Sequence, residues 1–295
     1  MCLGVRVFSI IKKISPIKMD YDLKILYEIT RNCNMRCSYC DVFRNEEIFS
    51  HENSVDYINS LLKVRPKILT TLYGGEPTQH PNFFKIADSI KTDLGIFTNL
   101  SADEKFYFKL QEYANLTSFE TTLHWEYVDV EEFFNKIKII SNRRNDVVYR
   151  VFNNYSEKNR DRVAYWEEKF KSLGVLTYHF PINCYVGDYY LKEAPNTGER
   201  VNVLYLDGHC HQVDIAHVLG KSFYRYKCSA GSNTLYISSD GRVFPCSVYR
   251  TRNNKSYFKV ESSLKNNVLE ETLCSEKECC DYDSTKTLVF KNKKD

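Results

Sequence analysis

A chain of 295 residues has material for one large domain or two modest ones, and 41 basic against 38 acidic residues leave it a net charge of +3. That balance implies no polyanion partner, so nucleic acid is not expected to bind. Eleven cysteines would read as disulfides in a short secreted protein, but this chain is not short and carries no signal peptide, so thiolate-bound metal in a reducing cytoplasm is expected. Residues 1–22 form a lead-in, its apolar run 3–11 interrupted by Arg6 and too brief to span a bilayer, so no membrane partner is expected.

The first strand-like run covers residues 24–30, and the segment Cys33-Asn34-Met35-Arg36-Cys37-Ser38-Tyr39-Cys40 follows it directly. Short spacings of this kind let one loop wrap an iron–sulfur cluster. Three thiolates on a four-iron cube leave one iron without a protein ligand, an open position for substrate or cofactor. A structural zinc is the competing reading, yet zinc ligands usually come as two C-x2-C pairs. A second strand-like run, 67–73, closes on Gly74-Gly75-Glu76-Pro77. Paired glycines alone are only turn punctuation.

Together the two segments say more. C-x3-C-x2-C with the aromatic Tyr39 before its last cysteine, followed one βα unit later by GGEP, resembles the signature of the radical S-adenosylmethionine (SAM) enzymes. The resemblance implies a 4Fe–4S cluster on Cys33, Cys37 and Cys40, with SAM on the open iron. It implies reductive cleavage of SAM to a 5′-deoxyadenosyl radical that abstracts hydrogen from substrate. An electron donor such as flavodoxin or ferredoxin is then required.

Further strand-like runs fall at 94–98, 118–123, 147–152 and 175–180, with helical patterns between them. Asp129 with Glu132 makes a capping-box-like start, and Phe133, Phe134, Ile137 and Ile140 follow at helical spacing. Val163, Trp166, Phe170 and Leu173 repeat the pattern before Gly174, a residue suited to end a helix. Six βα repeats predict an α/β fold with a parallel sheet. The resemblance makes this, over 23–181, a partial (β/α)6 barrel with its chemistry at the carboxyl ends of the strands.

The resemblance also implies cofactor contacts. Tyr39 and the Gly74-Gly75-Glu76-Pro77 turn are assigned to SAM, with Thr98, Asn99 and Thr122 at strand ends. Arg150 in the fifth strand is the candidate for the methionine carboxylate, or else an ordinary ion pair. His124 reads as a structural histidine rather than a catalytic one, and no catalytic residue is named.

Residues 182–227 break the βα rhythm and read as a bridging segment. Adjacent residues of an extended segment face opposite ways, so His209-Cys210-His211 does not suit one metal ion, and Cys184 and Cys210 read as packed thiols. In 228–295, Asp240-Gly241 sits between two alternating runs, a hairpin signal, and Ser262 to Leu273 reads as a short helix. Cys228 and Cys246 bracket the hairpin, and Cys274, Cys279 and Cys280 follow. This resembles the twitch domain, the shortened relative of the SPASM extension, and implies an auxiliary 4Fe–4S cluster. A structural zinc on the same thiols is the alternative.

The expected activity is hydrogen abstraction from a small polar, sugar-like substrate, the short region before the barrel leaving little room for a leader-binding domain. The auxiliary cluster would accept the electron of an overall oxidation. Peptide or protein modification is the alternative substrate class. A non-catalytic iron–sulfur carrier or sensor is the alternative of another kind.

Overall fold

The computed structural model of the chain describes residues 21–38, 40, 50–155, 159–181, 200–204, 210–214, 227–228, 230–246, 256, 258–260 and 272–273. All six expected strands are present: β1 (Leu23–Thr30), β2 (Ile68–Gly74), β3 (Asp93–Thr98), β4 (Leu116–His124), β5 (Val148–Tyr155) and β6 (Leu176–Pro181). Each pairs in parallel with the next in sequence. The helices between them are α1 (Glu52–Ser60), α2 (Phe83–Ser89), α3 (Glu104–Leu110), α4 (Val130–Ser141) and α5 (Arg160–Ser172).

Alternation along the strands explains why helices cover one face. Ile25, Tyr27 and Ile29 of β1, Leu94 and Ile96 of β3, and Phe119 and Leu123 of β4 join one apolar cluster. Ile58, Ile86, Leu110, Phe133, Ile137 and Phe170 of the helices complete it. Burying each such side chain stabilises the fold by roughly 1.5–3 kcal/mol. The helix ends follow local chemistry. Asp129 accepts hydrogen bonds from the amides of Glu131 (2.8 Å) and Glu132 (3.0 Å), satisfying two donors at the start of α4. At the end of α5, Gly174 takes φ 75°, its amide donating to Lys171 O (2.9 Å) and that of Val175 to Phe170 O (3.2 Å). That pair of bonds is the Schellman arrangement, which favours glycine at the left-handed position.

Beyond β6, β7 (Arg200–Leu204) and β8 (Cys210–Asp214) form an antiparallel pair, with Leu204 opposite Cys210. His209 and Cys184 lie outside the described residues. β9 (Lys227–Cys228) leads to the expected hairpin, β10 (Thr234–Ile237) and β11 (Arg242–Phe244), with Gly241 at φ 78° in its turn. β12 (Phe258–Lys259) adds to β11, and β13 (Thr272–Leu273) pairs antiparallel with β9. The last two residues of the expected helix over 262–273 are therefore strand. Thr272 is β-branched and finds a ladder partner in Cys228, and that non-local pairing decides its conformation.

The hairpin does not stand apart from the barrel. β10 lies parallel to β1, Leu26 opposite Tyr236, and extends the sheet to nine strands in the order β12-β11-β10-β1-β2-β3-β4-β5-β6. The inward face carries a row of aromatic rings that runs across it. Centroids are 6.2 Å apart for Phe244–Tyr236 and Tyr236–Tyr73, 5.9 Å for Tyr73–Phe97, and 5.0 Å for both Phe97–Phe152 and Phe152–Tyr178. Offset and edge contacts at such distances are the favourable ones for aromatic pairs. The row forms a floor one residue layer below the carboxyl ends of the strands.

Behind the sheet, buried His51 at the start of α1 meets the Tyr27 hydroxyl through Nδ1 (2.5 Å) and His80 edge-on (4.9 Å). Burial, and then the neighbouring His80, push its pKa down to about 4. A histidine depressed when folded stays neutral while the unfolded chain takes up a proton below pH 6.5, so stability falls as pH drops from there towards 4. Between pH 7 and pH 5 the loss from this residue should be about 2 kcal/mol. Urea unfolding at the two pH values checks it: His51→Gln should show a clearly smaller acid loss, and an equal loss would exonerate His51.

Candidate active site

The cysteine loop leaves the carboxyl end of β1. Cys33 is half-buried, Cys37 is buried and Cys40 exposed, and none of the three is in a disulfide. The amide of Met35 points at Cys33 Sγ (3.4 Å), and Cys40 N donates to Cys37 O (3.1 Å), turning the loop between its last two cysteines. Tyr39 lies outside the described residues.

The GGEP segment locks this loop from one side. Gly75 N donates to Thr30 O (2.9 Å) and Glu76 N to Asn32 O (2.8 Å). A Cβ on Gly74 would stand 2.0 Å from Thr30 O, and one on Gly75 2.5 Å from Asn32 O and 2.6 Å from Arg31 O. Both glycines are thus required by the close approach of two backbones. Glu76 is fully buried and its carboxylate is ringed by protein donors: Thr78 N (3.1 Å), Thr78 Oγ1 (2.7 Å), Thr98 Oγ1 (2.7 Å) and Asn99 N (2.6 Å). Burial pushes this carboxyl upward in pKa, and the donors from Asn99, Thr78 and Thr98 oppose the shift. Pro77 opens the short 3₁₀ turn that Glu76 caps.

Glu76 so ties the end of β2 to the end of β3. From there Asn99 reaches the cysteine loop, donating through Nδ2 to Asn34 Oδ1 (2.9 Å), with Cys33 Sγ at 3.9 Å. Leu100 next to it holds a left-handed φ of 64°, a strained choice for leucine. Lys136 Nζ donating to Leu100 O (3.1 Å) and Ala102 O (2.6 Å) secures that turn.

The turn after β4 grips the loop from the opposite side. His124 Nδ1 lies 3.4 Å from Cys37 Sγ. Glu126 accepts from Ser38 N (2.8 Å) and from the Ser38 hydroxyl, and the Tyr127 hydroxyl donates to Arg36 O. The amides of Tyr127 (3.0 Å) and Val128 (3.2 Å) close on His124 O, so one tight turn presents all three side chains. Burial lowers His124 to a pKa of about 4, the Glu126 charge pulling the other way.

The sequence-derived set therefore divides. Gly74, Gly75, Glu76, Pro77, Thr98 and Asn99 gather around the cysteine loop, and buried Thr122 lies on the inward face of β4 two residues before His124. Arg150 stays with Glu120 (3.0 Å) and Ser118 (2.8 Å), a layer below the aromatic floor. Glu120 precedes the end of β4 by four residues, about 13 Å of strand. Sequence reasoning missed Asn34, Glu126 and Tyr127 and gave His124 only a structural part. It also missed Asn154, opposite His124 at the end of β5, whose buried Oδ1 has no hydrogen-bond partner among the described residues. Position at a strand's carboxyl end was the available signal.

The donor set fits an iron–sulfur cluster. Soft thiolates with N–H groups aimed at them are the ligands such clusters use. Among the described residues, no three His, Cys, Asp or Glu side chains meet as for a single metal ion. A cube takes its thiolates at separate corners and needs no such single point. Cys228 lies in β9, Cys246 is buried just beyond β11, and Cys274, Cys279 and Cys280 fall outside the described residues.

Three cysteines on the loop that leaves β1 at the carboxyl end of a parallel partial barrel define the chain as an α/β protein with a thiol-lined site there. Residues 27–166 match the family described as the Radical SAM superfamily. The chain is 23% identical over 269 residues to the AdoMet-dependent heme synthase of Methanosarcina barkeri, covering 75% of this chain and 76% of that protein. Its fold is similar to that of SuiB from Streptococcus suis, with TM-score 0.56, 14% identity, and coverage of 84% of this chain and 67% of SuiB. It is also similar to native anSMEcpe with bound AdoMet and Cp18Cys peptide, with TM-score 0.54, 17% identity, and coverage of 81% and 77%. Residues 27–166 thus belong to the radical SAM superfamily, and β1–β6 form the partial barrel that contains them. Among the described residues no helix is long and apolar enough to cross a membrane.

Proposed function

We propose that the chain takes hydrogen from a small polar, sugar-like substrate and oxidises it, with an auxiliary cluster on its C-terminal cysteines. The observation that carries the catalytic half is the convergence of the GGEP turn, the β3 end and the β4–α4 turn on the cysteine loop. A simple electron carrier or sensor does not require that elaboration. When bound, the cluster and SAM supply one-electron cleavage of a sulfonium and hydrogen-atom abstraction. Cys33, Cys37 and Cys40 would hold the cluster. The backbone of Gly74 to Pro77, with Asn99 and Thr122, would border SAM, and Tyr39 belongs to the same loop. Glu76 contributes by fixing that border, its carboxylate being taken up by protein donors. Arg150 serves the Glu120 ion pair. An electron donor is required, and flavodoxin or ferredoxin would fill that part.

The substrate half is supported by the aromatic floor and the polar residues at the strand ends above it. The half-buried rings of Tyr73, Phe97 and Phe152 offer flat apolar faces to the C–H side of a small ring. Asn99, Thr122 and Asn154 offer partners for hydroxyl or amino groups.

The auxiliary cluster is supported by strand register. Thr272, two residues before Cys274, lies opposite Cys228 in the β9–β13 pair, while β11 leads directly into Cys246. We assign Cys228, Cys246, Cys274 and Cys279 as its ligands, leaving Cys280 spare. Replacing Cys246 by Ala should remove about four irons per chain, one cluster. SAM cleavage should persist while substrate oxidation falls at least tenfold. Unchanged iron, or stoichiometric zinc in the native protein, overturns the auxiliary reading. A product found on a peptide overturns the substrate reading.

A further inference from the structure

The contact between His124 and Cys37 is the part of the site that cluster binding alone does not account for. A cysteine that ligates iron does so as thiolate, which accepts hydrogen bonds and donates none. Nδ1 at 3.4 Å from its sulfur is attractive only if that nitrogen carries the hydrogen. The geometry is held from both ends. His124 is the last residue of β4, and its carbonyl takes the two amides that close the following turn. The same turn pins the flanking loop residues, Arg36 through the Tyr127 hydroxyl and Ser38 through Glu126. Cys37 is therefore held on both sides while the imidazole points at its sulfur.

We propose that His124 is a positioning residue that donates its Nδ1 hydrogen to the Cys37 thiolate and raises the reduction potential of the cluster on that loop. The proposal rests on the reading of Cys33, Cys37 and Cys40 as cluster ligands. Reduction adds negative charge that spreads onto the sulfurs, so a fixed N–H donor stabilises the reduced form over the oxidised one. The bond is present in both oxidation states, so its strengthening on reduction sets the shift, and a gain of about 1.4 kcal/mol corresponds to roughly tenfold in that equilibrium.

The test is an anaerobic redox titration of the full reconstituted chain, followed by electron paramagnetic resonance on the signal that Cys33, Cys37 and Cys40 account for. His124→Ala should lower the reduced-to-oxidised ratio at a fixed potential about tenfold, a shift of about 59 mV to more negative values. His124→Asn places an amide N–H near the position of Nδ1 and should stay close to wild type. His124→Gln places its amide near Nε2 instead and should behave like alanine. An unchanged potential in His124→Ala with iron content intact overturns the proposal. So does an equal shift in the alanine and asparagine variants, which would reflect lost packing rather than a lost donor. If the alanine variant fails to hold iron, asparagine against glutamine decides, and failure of all three variants to hold it overturns the proposal. Wild-type iron that survives removal of all three cysteines overturns the cluster reading itself, a result separate from any His124 variant.

Discussion

Replacing Cys33, Cys37 and Cys40 together by alanine should cut iron in the anaerobically reconstituted chain from about eight atoms to about four, the content of one cluster. SAM cleavage, followed as methionine and 5′-deoxyadenosine, should fall to background. The effect is large because no other described thiol stands on that loop: Cys246 follows β11, at the hairpin. The loop itself should remain folded, since its anchors are Gly75 N on Thr30 O, Glu76 N on Asn32 O, and Glu126 on Ser38. Iron and SAM cleavage should thus be lost without a change in far-ultraviolet circular dichroism. Undiminished iron in the triple variant would sink the assignment. A wild-type chain that holds iron, accepts an electron and leaves SAM intact would favour a carrier or sensor.

Glu76→Ala should be the most destabilising single substitution at the site, by about 3–5 kcal/mol. It deprives the amides of Thr78 and Asn99 and the hydroxyls of Thr78 and Thr98 of one shared acceptor in a fully buried place. Each buried donor left unpaired costs about 1–3 kcal/mol. For a domain of this size that corresponds to a fall in melting temperature of roughly 10 °C. Glu76→Gln keeps one oxygen as acceptor but turns an N–H towards a donor, and should cost about half as much. Function should suffer beyond stability, because Asn99 would lose the contact that aims it at Asn34. Thermal unfolding with SAM binding at low temperature separates the two effects. A loss within about 0.5 kcal/mol of zero would mean that water replaces the carboxylate and that Glu76 is not the link between β2 and β3.

Much of this molecule was legible in the sequence because the signals are local. Cysteine spacing, the glycine pair, period-two strands, the Asp129 cap and Gly174 each act over a few residues, and each element formed where that chemistry put it. What only the tertiary structure decided is which of these local pieces meet. Nothing in Thr234–Ile237 announces that it pairs with β1 from the far end of the chain, because a strand's pattern shows that a face is buried and not against whom. The glycines read as a cofactor cradle, yet the atoms that exclude a side chain there are the backbone oxygens of Thr30, Arg31 and Asn32. Arg150 suits a carboxylate, and folding gave it Glu120 on the neighbouring strand. His124 came to face Cys37 because parallel pairing carries the end of β4 to the same end of the barrel as the end of β1. Sequence fixes what each residue is able to do, and the sheet's register selects the partner with which it does so.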